Sequence, residues 1–229
     1  MAKKKIAVFD IDGTIFRKNL SFELIEELSW LGIFRKEVRK ELVKHYVNWL
    51  DHKGVYEDYR KALVVLYAKN IQGCFKVDVE KASQIAAPFY KDRTYIFANQ
   101  LIERFRKKGY AIIAVSGSPS EIVEEYNKYL KFEKVFGTVY ETDERGIYTG
   151  EIAFDPVKDK GQVVKQYIAE NNLTLKDSYG IGDTESDAKF LSLVENPIAF
   201  NPNENLRKIA EKNKWKIVVE KKDVIYNIN

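Results

Sequence analysis

The sequence predicts an α/β protein: a Rossmann-like, mostly parallel sheet with helices on both faces, carrying an inserted all-helical domain. Three observations predict it. From Asp92 onward, short apolar runs alternate with amphipathic segments, the grammar of a parallel sheet with helical crossovers. A lone apolar run, Lys5–Phe9, stands about a hundred positions ahead of the next comparable one, Tyr110–Val115. Between them lie four amphipathic segments with no strand, which read as a small helical bundle set into something else. The implied division is a core of residues 1–16 and 92–229 and an inserted helical domain of residues 17–91.

Lys5–Phe9 is short, apolar and stopped by Asp10-Ile-Asp-Gly, the pattern of a buried strand. In the insertion, Leu20, Leu24, Ile25, Leu28 and Leu31 form one apolar face ending at Gly32, and Val38, Leu42, Tyr46, Trp49 and Leu50 form a second ending near Gly54. Tyr56, Tyr59, Leu63, Leu66 and Tyr67 form a third before Gly73, and a weaker fourth runs over 79–90. A helix over 92–108 then precedes the strand at 110–115. Ser118-Pro-Ser-Glu121 has the form of a capping box with Pro at the first helical position, opening a helix to about Leu130. Val135–Thr138 reads as a short strand, followed by a hairpin of Thr138–Thr142 and Ile147–Phe154 through Asp143-Glu-Arg-Gly146. Asp159 caps a helix through about Glu170, with Gln162 three residues on. Ser178–Ile181 and Pro197–Phe200 read as strands around a helix over about 185–194; another helix covers about 204–213, and Trp215–Val219 adds an edge strand.

Hydrophobic residues make up 45% of the 229, enough for a real core, and Lys+Arg 38 against Asp+Glu 34 leave a net charge of +4 with both signs mixed along the chain. That balance argues against a dedicated nucleic-acid binder without repelling an anionic small molecule. Cys74 has no partner for an internal disulfide, and the apolar run before Asp10 is far too short for a signal-peptide core or a membrane span. The expected setting is the reducing cytoplasm. His45 and His52 are the only histidines, so a structural zinc site is not expected, and the two read as packing or surface residues beside Tyr46 and Trp49. Chemistry has to rest on carboxylates, lysines and hydroxyls.

In an open parallel sheet, ligands collect at the carboxyl ends of the strands. There the first strand delivers Asp10 and Asp12, the second delivers Ser116 and Gly117, and the strand at 178–181 delivers Asp183, with Asp187 one helical turn on. Lys160 arrives at the first turn of the helix after the hairpin. Singly, an Asp after a strand is ordinarily a turn residue or helix cap, Ser116-Gly-Ser an ordinary loop and Lys160 a solvated helix residue. Their joint occurrence at successive strand ends outweighs those readings. Clustered carboxylates repel one another and lose hydration, and a hard divalent cation resolves both; magnesium suits oxygen ligands and pairs with phosphate. Ser116, Lys160 and the free amides of the helix opening at Ser118 supply donors and positive potential for an oxyanion. Together they point to phosphoryl transfer, with an aspartate as candidate covalent nucleophile. Gly180-Ile-Gly182 lacks the third glycine of a dinucleotide loop, Glu standing at 185, and no P-loop pattern occurs.

Asp10-Ile-Asp-Gly-Thr14, Ser116, Lys160 and Gly182-Asp-Thr-Glu-Ser-Asp187 resemble, in order, the four motifs of the haloacid-dehalogenase superfamily of phosphohydrolases. The resemblance covers about residues 5–16 and 92–220. The inserted helices are similar to the helical, C1-type cap of the phosphoserine-phosphatase-like branch, and the tail Asn201-Pro-Asn with Leu206-Arg and Trp215 resembles that branch as well. The resemblance implies that Asp10 attacks phosphorus to become an aspartyl phosphate, while Asp12 protonates the leaving oxygen and then activates water. It implies magnesium held by Asp10, the main-chain carbonyl of Asp12 and Asp183, with Asp187 supporting the metal shell. Phosphate would be held by Ser116, Gly117 and Lys160, and the cap would close over the site. The expected partner is a small phosphorylated metabolite, with no nucleic acid and no membrane, for a monomer or homodimer.

Two other functions stay open at this stage. One is a phosphomutase or phosphotransferase of the same fold, in which another acceptor replaces water. The other is a non-catalytic phosphate-sensing or scaffold protein whose insertion binds a partner, a use compatible with 13% aromatic residues. Retention of Asp10, Asp12 and Lys160 favours the hydrolase. One departure bears on specificity. Phosphoserine phosphatases carry a Glu nine positions after the nucleophile to meet the substrate ammonium; here that position is Asn19, and Ser186 stands where they usually have Asn. Poor use of phosphoserine is expected, with Glu23 as the fallback acid. Tyr56, Tyr59, Tyr67, Phe22 and Trp30 are expected mostly to pack the bundle rather than line a leaving-group pocket.

Overall fold

The structure, a computed structural model, describes residues 3–228. In chain order the elements are β1 (Lys4–Phe9), α1 (Leu20–Trp30), α2 (Lys36–Leu50), α3 (Tyr56–Ile71), α4 (Lys76–Tyr90), α5 (Ile96–Lys107), β2 (Ala111–Pro119) and α6 (Ser120–Leu130). They continue with β3 (Lys134–Thr142), β4 (Tyr148–Phe154), α7 (Lys160–Glu170), β5 (Leu173–Gly182), α8 (Ala188–Leu191), β6 (Asn196–Phe200), α9 (Glu204–Asn213), β7 (Lys216–Lys221) and β8 (Val224–Asn227). Among the described residues one sheet runs β4-β3-β2-β1-β5-β6-β7-β8. The six strands from β3 to β7 are parallel, and β4 and β8 close the edges antiparallel.

The apolar run of β1 is continuous because both faces of the central strand are covered. Its alternate residues go to opposite layers. Ala7 and Phe9 join Ile112, Ala114 and Phe200 under α5 and α6, and this cluster continues without a break into the apolar sides of α1 to α4. Ile6 and Val8 join Ala111, Ile113 and Val115 against Val164, Phe190, Leu191 and Leu206 of α7 to α9. Register then sets the site. Phe9 lies level with Ala114 of β2 and Ile181 of β5, so the residues that follow in all three strands emerge at one rim.

Several local expectations shift. The helix expected from 92 begins at Ile96, because Arg93 and Thr94 run antiparallel to the outgoing chain: Thr94 bridges Phe16, and Arg17 N–H donates to Arg93 O at 2.9 Å. The amides of Ile96 and Phe97 are capped by the Glu220 carboxylate from β7. The strands expected at 135–138 and 138–142 are one strand, β3, parallel to β2 at its start and antiparallel to β4 at its end. The helix expected over 185–194 is a 3₁₀ turn, Glu185–Asp187, running into the single turn of α8. The strand expected at the sheet edge, β7, is covered by β8. Leu31 and Leu50, expected on apolar helix faces, are exposed. Among the described residues no helix is long and apolar enough to cross a membrane.

Candidate active site

Asp10 leaves β1 buried, its amide donating to Ile181 O at 2.9 Å. The chain then turns back sharply, with Phe16 N–H donating to Ile11 O at 2.8 Å. Gly13 makes this turn possible twice over: it adopts φ +85°, and a Cβ there would lie 2.1 Å from Asp183 Oδ2. Asp12 projects from the same turn. Its Oδ1 accepts the Leu20 amide at 2.6 Å, and its Oδ2 accepts Ser116 Oγ at 2.6 Å and Ser118 Oγ at 2.8 Å.

Lys160 enters from the other side. The Asp159 carboxylate accepts the Gln162 amide at 2.9 Å, which starts α7 as the sequence indicates and aims its first residue inward. Lys160 is 2% exposed, and its Nζ donates to Asp10 Oδ1 and Asp187 Oδ1, each at 2.6 Å. The second oxygen of Asp187 accepts the amides of Asp183 and Thr184 at 3.0 and 3.1 Å, so Asp187 braces the loop that presents Asp183. Gly182 is needed beneath it, since a Cβ would meet Asp187 Cβ at 2.5 Å.

Four buried or half-buried carboxylates therefore share one ammonium. Desolvation pushes Asp10 up to about 8 even though Lys160 draws it down, and Asp187 and Asp12 push it further up. Burial likewise raises Asp183 well above the carboxylate range, reinforced by Asp10 and Asp187. Asp12 is raised by burial against the pull of Ser116 and the Leu20 amide. Burial alone would lower Lys160, but Asp10 and Asp187 more than reverse it and keep the ammonium charged.

These residues fit a hard divalent cation. Oxygens of Asp10, Asp183 and Asp187 lie within 4.8 Å of one another, and Asp10 Oδ2 is buried with no hydrogen-bond partner. The Asp12 carboxylate is outside this group, whereas Asp187, expected only to support the metal shell, is inside it.

Each of the residues assigned from the sequence to catalysis, phosphate or metal lies at one cavity of about 190 Å³ or directly behind its lining. Asp10, Asp12, Gly117, Lys160 and Asp183 line it; Ser116 and Asp187 stand behind them, bonded to Asp12 and Lys160. Ser116 differs from expectation, because its hydroxyl is turned to Asp12 rather than left open for an oxyanion. Ser118 differs too: it caps no helix, since α6 begins at Ser120 with no side-chain cap. Tyr56 of α3, one of the aromatic residues expected mostly to pack, lines the cavity, and the sequence reading missed Arg60, four residues on, which lines it as well. The spacing of four along a helix was the available signal. Of the other aromatic residues named from the sequence, Tyr67 packs on Phe34 and Tyr140, Phe22 on Tyr46 and Tyr59, and Trp30 is exposed. Glu23 is buried away from the cavity, paired with Lys18 at 3.2 Å and Arg93 at 3.4 Å.

The haloacid dehalogenase-like hydrolase family matches residues 7–192. The chain is 24% identical over 224 residues to phosphoserine phosphatase of Methanocaldococcus jannaschii, covering 97% of this chain and 95% of that protein. It is 23% identical over 239 residues to histidinol-phosphatase of Neisseria meningitidis serogroup C, covering 94% and 98%. Among solved structures, a protein of unknown function from Bordetella pertussis Tohama I superposes with TM-score 0.72 at 21% identity, covering 94% of this chain and 98% of that one. Phosphoserine phosphatase in its apo form superposes with TM-score 0.65 at 22% identity, covering 96% of each chain. The chain belongs to the haloacid dehalogenase-like hydrolase family, on its phosphoserine-phosphatase-like branch.

Proposed function

We propose that this protein is a magnesium-dependent phosphatase of small phosphate monoesters that works through an aspartyl phosphate on Asp10. The observation that carries the reading is the pairing of two carboxylates with opposite surroundings in one cavity. Asp10 has one oxygen held by Lys160 and the other free of any hydrogen bond, while Asp12 is held by three donors on its own side. The first arrangement suits a nucleophile and the second an acid and base.

Asp10 Oδ2 would attack phosphorus as the bond to the leaving oxygen breaks, and Asp12 would give its proton to that oxygen. Asp12 would then take a proton from the water that cleaves the acyl phosphate and restores Asp10. Lys160 would hold Asp10 in place and offset charge as an anionic nucleophile meets an anionic ester. Ser116 would turn its hydroxyl to phosphate with help from Gly117. Asp10, the main-chain carbonyl of Asp12 and Asp183 would hold magnesium, supported by Asp187. When bound, the cation offsets the crowded carboxylates and polarises the phosphoryl group. The cap, residues 17–91, would close on a core of residues 1–16 and 92–229 to exclude water, in a cytoplasmic enzyme.

The test is phosphate release from a generic aryl phosphate with and without magnesium. Asp10→Asn should abolish turnover with the fold intact, because an amide is a poor nucleophile. Near-normal turnover, with deamidation excluded by mass spectrometry, would overturn the assignment.

A further inference from the structure

The Ser118 hydroxyl is spent on the acid–base carboxylate, and the geometry fixes its direction. The Ser21 amide, in the first turn of α1, shares its hydrogen between Asn19 Oδ1 at 2.9 Å and Ser118 Oγ at 3.2 Å, and Ser21 Oγ donates to Ser118 Oγ at 2.8 Å. A serine oxygen has two lone pairs and one hydrogen. With the Ser21 hydroxyl and the shared Ser21 amide hydrogen on its lone pairs, the hydrogen of Ser118 is directed to Asp12 Oδ2, 2.8 Å away. Ser118 and Ser21 edge the cavity but are only 1% and 5% exposed, so these bonds are largely shielded from solvent. The other oxygen of Asp12 is held by the Leu20 amide at 2.6 Å. Both oxygens of Asp12 are thus anchored, directly or through Ser118, to the first turn of an inserted helix.

Ser116 also donates to Asp12 Oδ2, at 2.6 Å, but it stands beside Gly117 on the side proposed for phosphate. Once that hydroxyl turns to a phosphate oxygen, Ser118 is the hydroxyl left on Asp12. We infer that Ser118, oriented by Ser21, is a positioning residue for Asp12, fixing how its carboxyl group faces and tying proton delivery to the docking of α1 on the sheet rim. This rests on the phosphatase reading and gives Ser118 and Ser21 a role separate from phosphate and metal. Ser118 keeps its own hydrogen throughout; the proton that moves goes from Asp12 to the leaving oxygen as the phosphorus–oxygen bond breaks.

Leaving-group dependence tests the inference. An alkoxide needs protonation to depart, whereas 4-nitrophenolate needs little. The quantity to measure is kcat/KM, which covers steps through formation of the phosphoenzyme, for ethyl phosphate and 4-nitrophenyl phosphate with saturating magnesium. Ser118→Ala should lower kcat/KM for ethyl phosphate about 10- to 100-fold, part of what a general acid contributes, and for 4-nitrophenyl phosphate less than about threefold. Ser21→Ala should act in the same direction and less strongly. Equal losses on both esters, as a merely structural role would give, or no loss on either, would overturn the inference. Wild-type protein that releases phosphate from neither ester would instead overturn the phosphatase reading beneath it.

Discussion

Asp10 and Asp183 link protons, cation and stability in a way that can be measured. Burial raises Asp10 from 3.8 to about 8 and pushes Asp183 up as well, whereas in the unfolded chain both would lose their protons near the ordinary value. Between these limits the cation-free folded protein binds more protons than the unfolded chain. Its stability from these groups is therefore fully present below about pH 4 and is lost as pH rises through about 8. A divalent cation displaces those protons, so the stabilisation it brings should grow over the same window. Calorimetric melting with and without magnesium should show a larger rise in Tm at about pH 8 than at about pH 5. Asp183→Ala should lose most of that rise. A rise independent of pH would contradict the shared-charge account of the site.

The elements divide cleanly into what the chain states locally and what it does not. Asp10, Asp12, Ser116, Lys160, Asp183 and Asp187 were legible because each stands toward the end of a strand, follows one or opens a helix, and strand ends in a parallel sheet share a rim. Ser118 was not, because its partner Asp12 lies 106 positions away and a capping box was the nearer explanation. Glu220 was hidden for the same reason, capping α5 from 123 and 124 positions away. The continuity of β3 was obscured because one strand changes neighbours midway, from β2 to β4. The turn after β5 was misread as a long helix, since Asp187 folds back onto the amides of Asp183 and Thr184. That turn yields a prediction. Gly182→Ala would place a Cβ 2.5 Å from Asp187 Cβ and 2.6 Å from its Cγ, forcing the brace of the acidic loop to move. It should cost about 1–3 kcal/mol in denaturant unfolding and depress turnover with it. Gly54→Ala, whose Cβ would meet only the Asp58 carboxylate at an ordinary 3.4 Å, should leave turnover unchanged.

At the scale of the whole molecule, the cavity is a joint product of the sheet rim and the inserted helices, and specificity follows from what each side contributes. The acidic residues lining it, Asp10, Asp12, Asp155 and Asp183, all come from outside the insertion; α3 contributes Arg60, and Asn19 stands at the start of α1. Asn19 is further committed, its side chain accepting the Ser21 amide at 2.9 Å as the cap of that helix. Glu23 cannot stand in, because Lys18 and Arg93 hold it away from the cavity. The inserted helices thus offer no carboxylate to an ammonium on the leaving group, and in a closed, low-dielectric site that missing ion pair is worth most. Phosphoserine should accordingly be a poor substrate beside uncharged alcohol phosphates, with kcat/KM lower by about tenfold or more, equivalent to about 1.4 kcal/mol. The comparison needs a panel of such esters measured under one magnesium concentration, with Asn19→Glu as the reciprocal variant. That substitution should improve phosphoserine relative to the panel. If the wild-type protein instead prefers phosphoserine by a large factor, the ammonium must be met from the sheet side. Asp155 is then the acceptor, since one of its oxygens is fixed by the Val157 amide at 3.0 Å and the other has no cation paired with it among the described residues. The argument from Asn19 would fall.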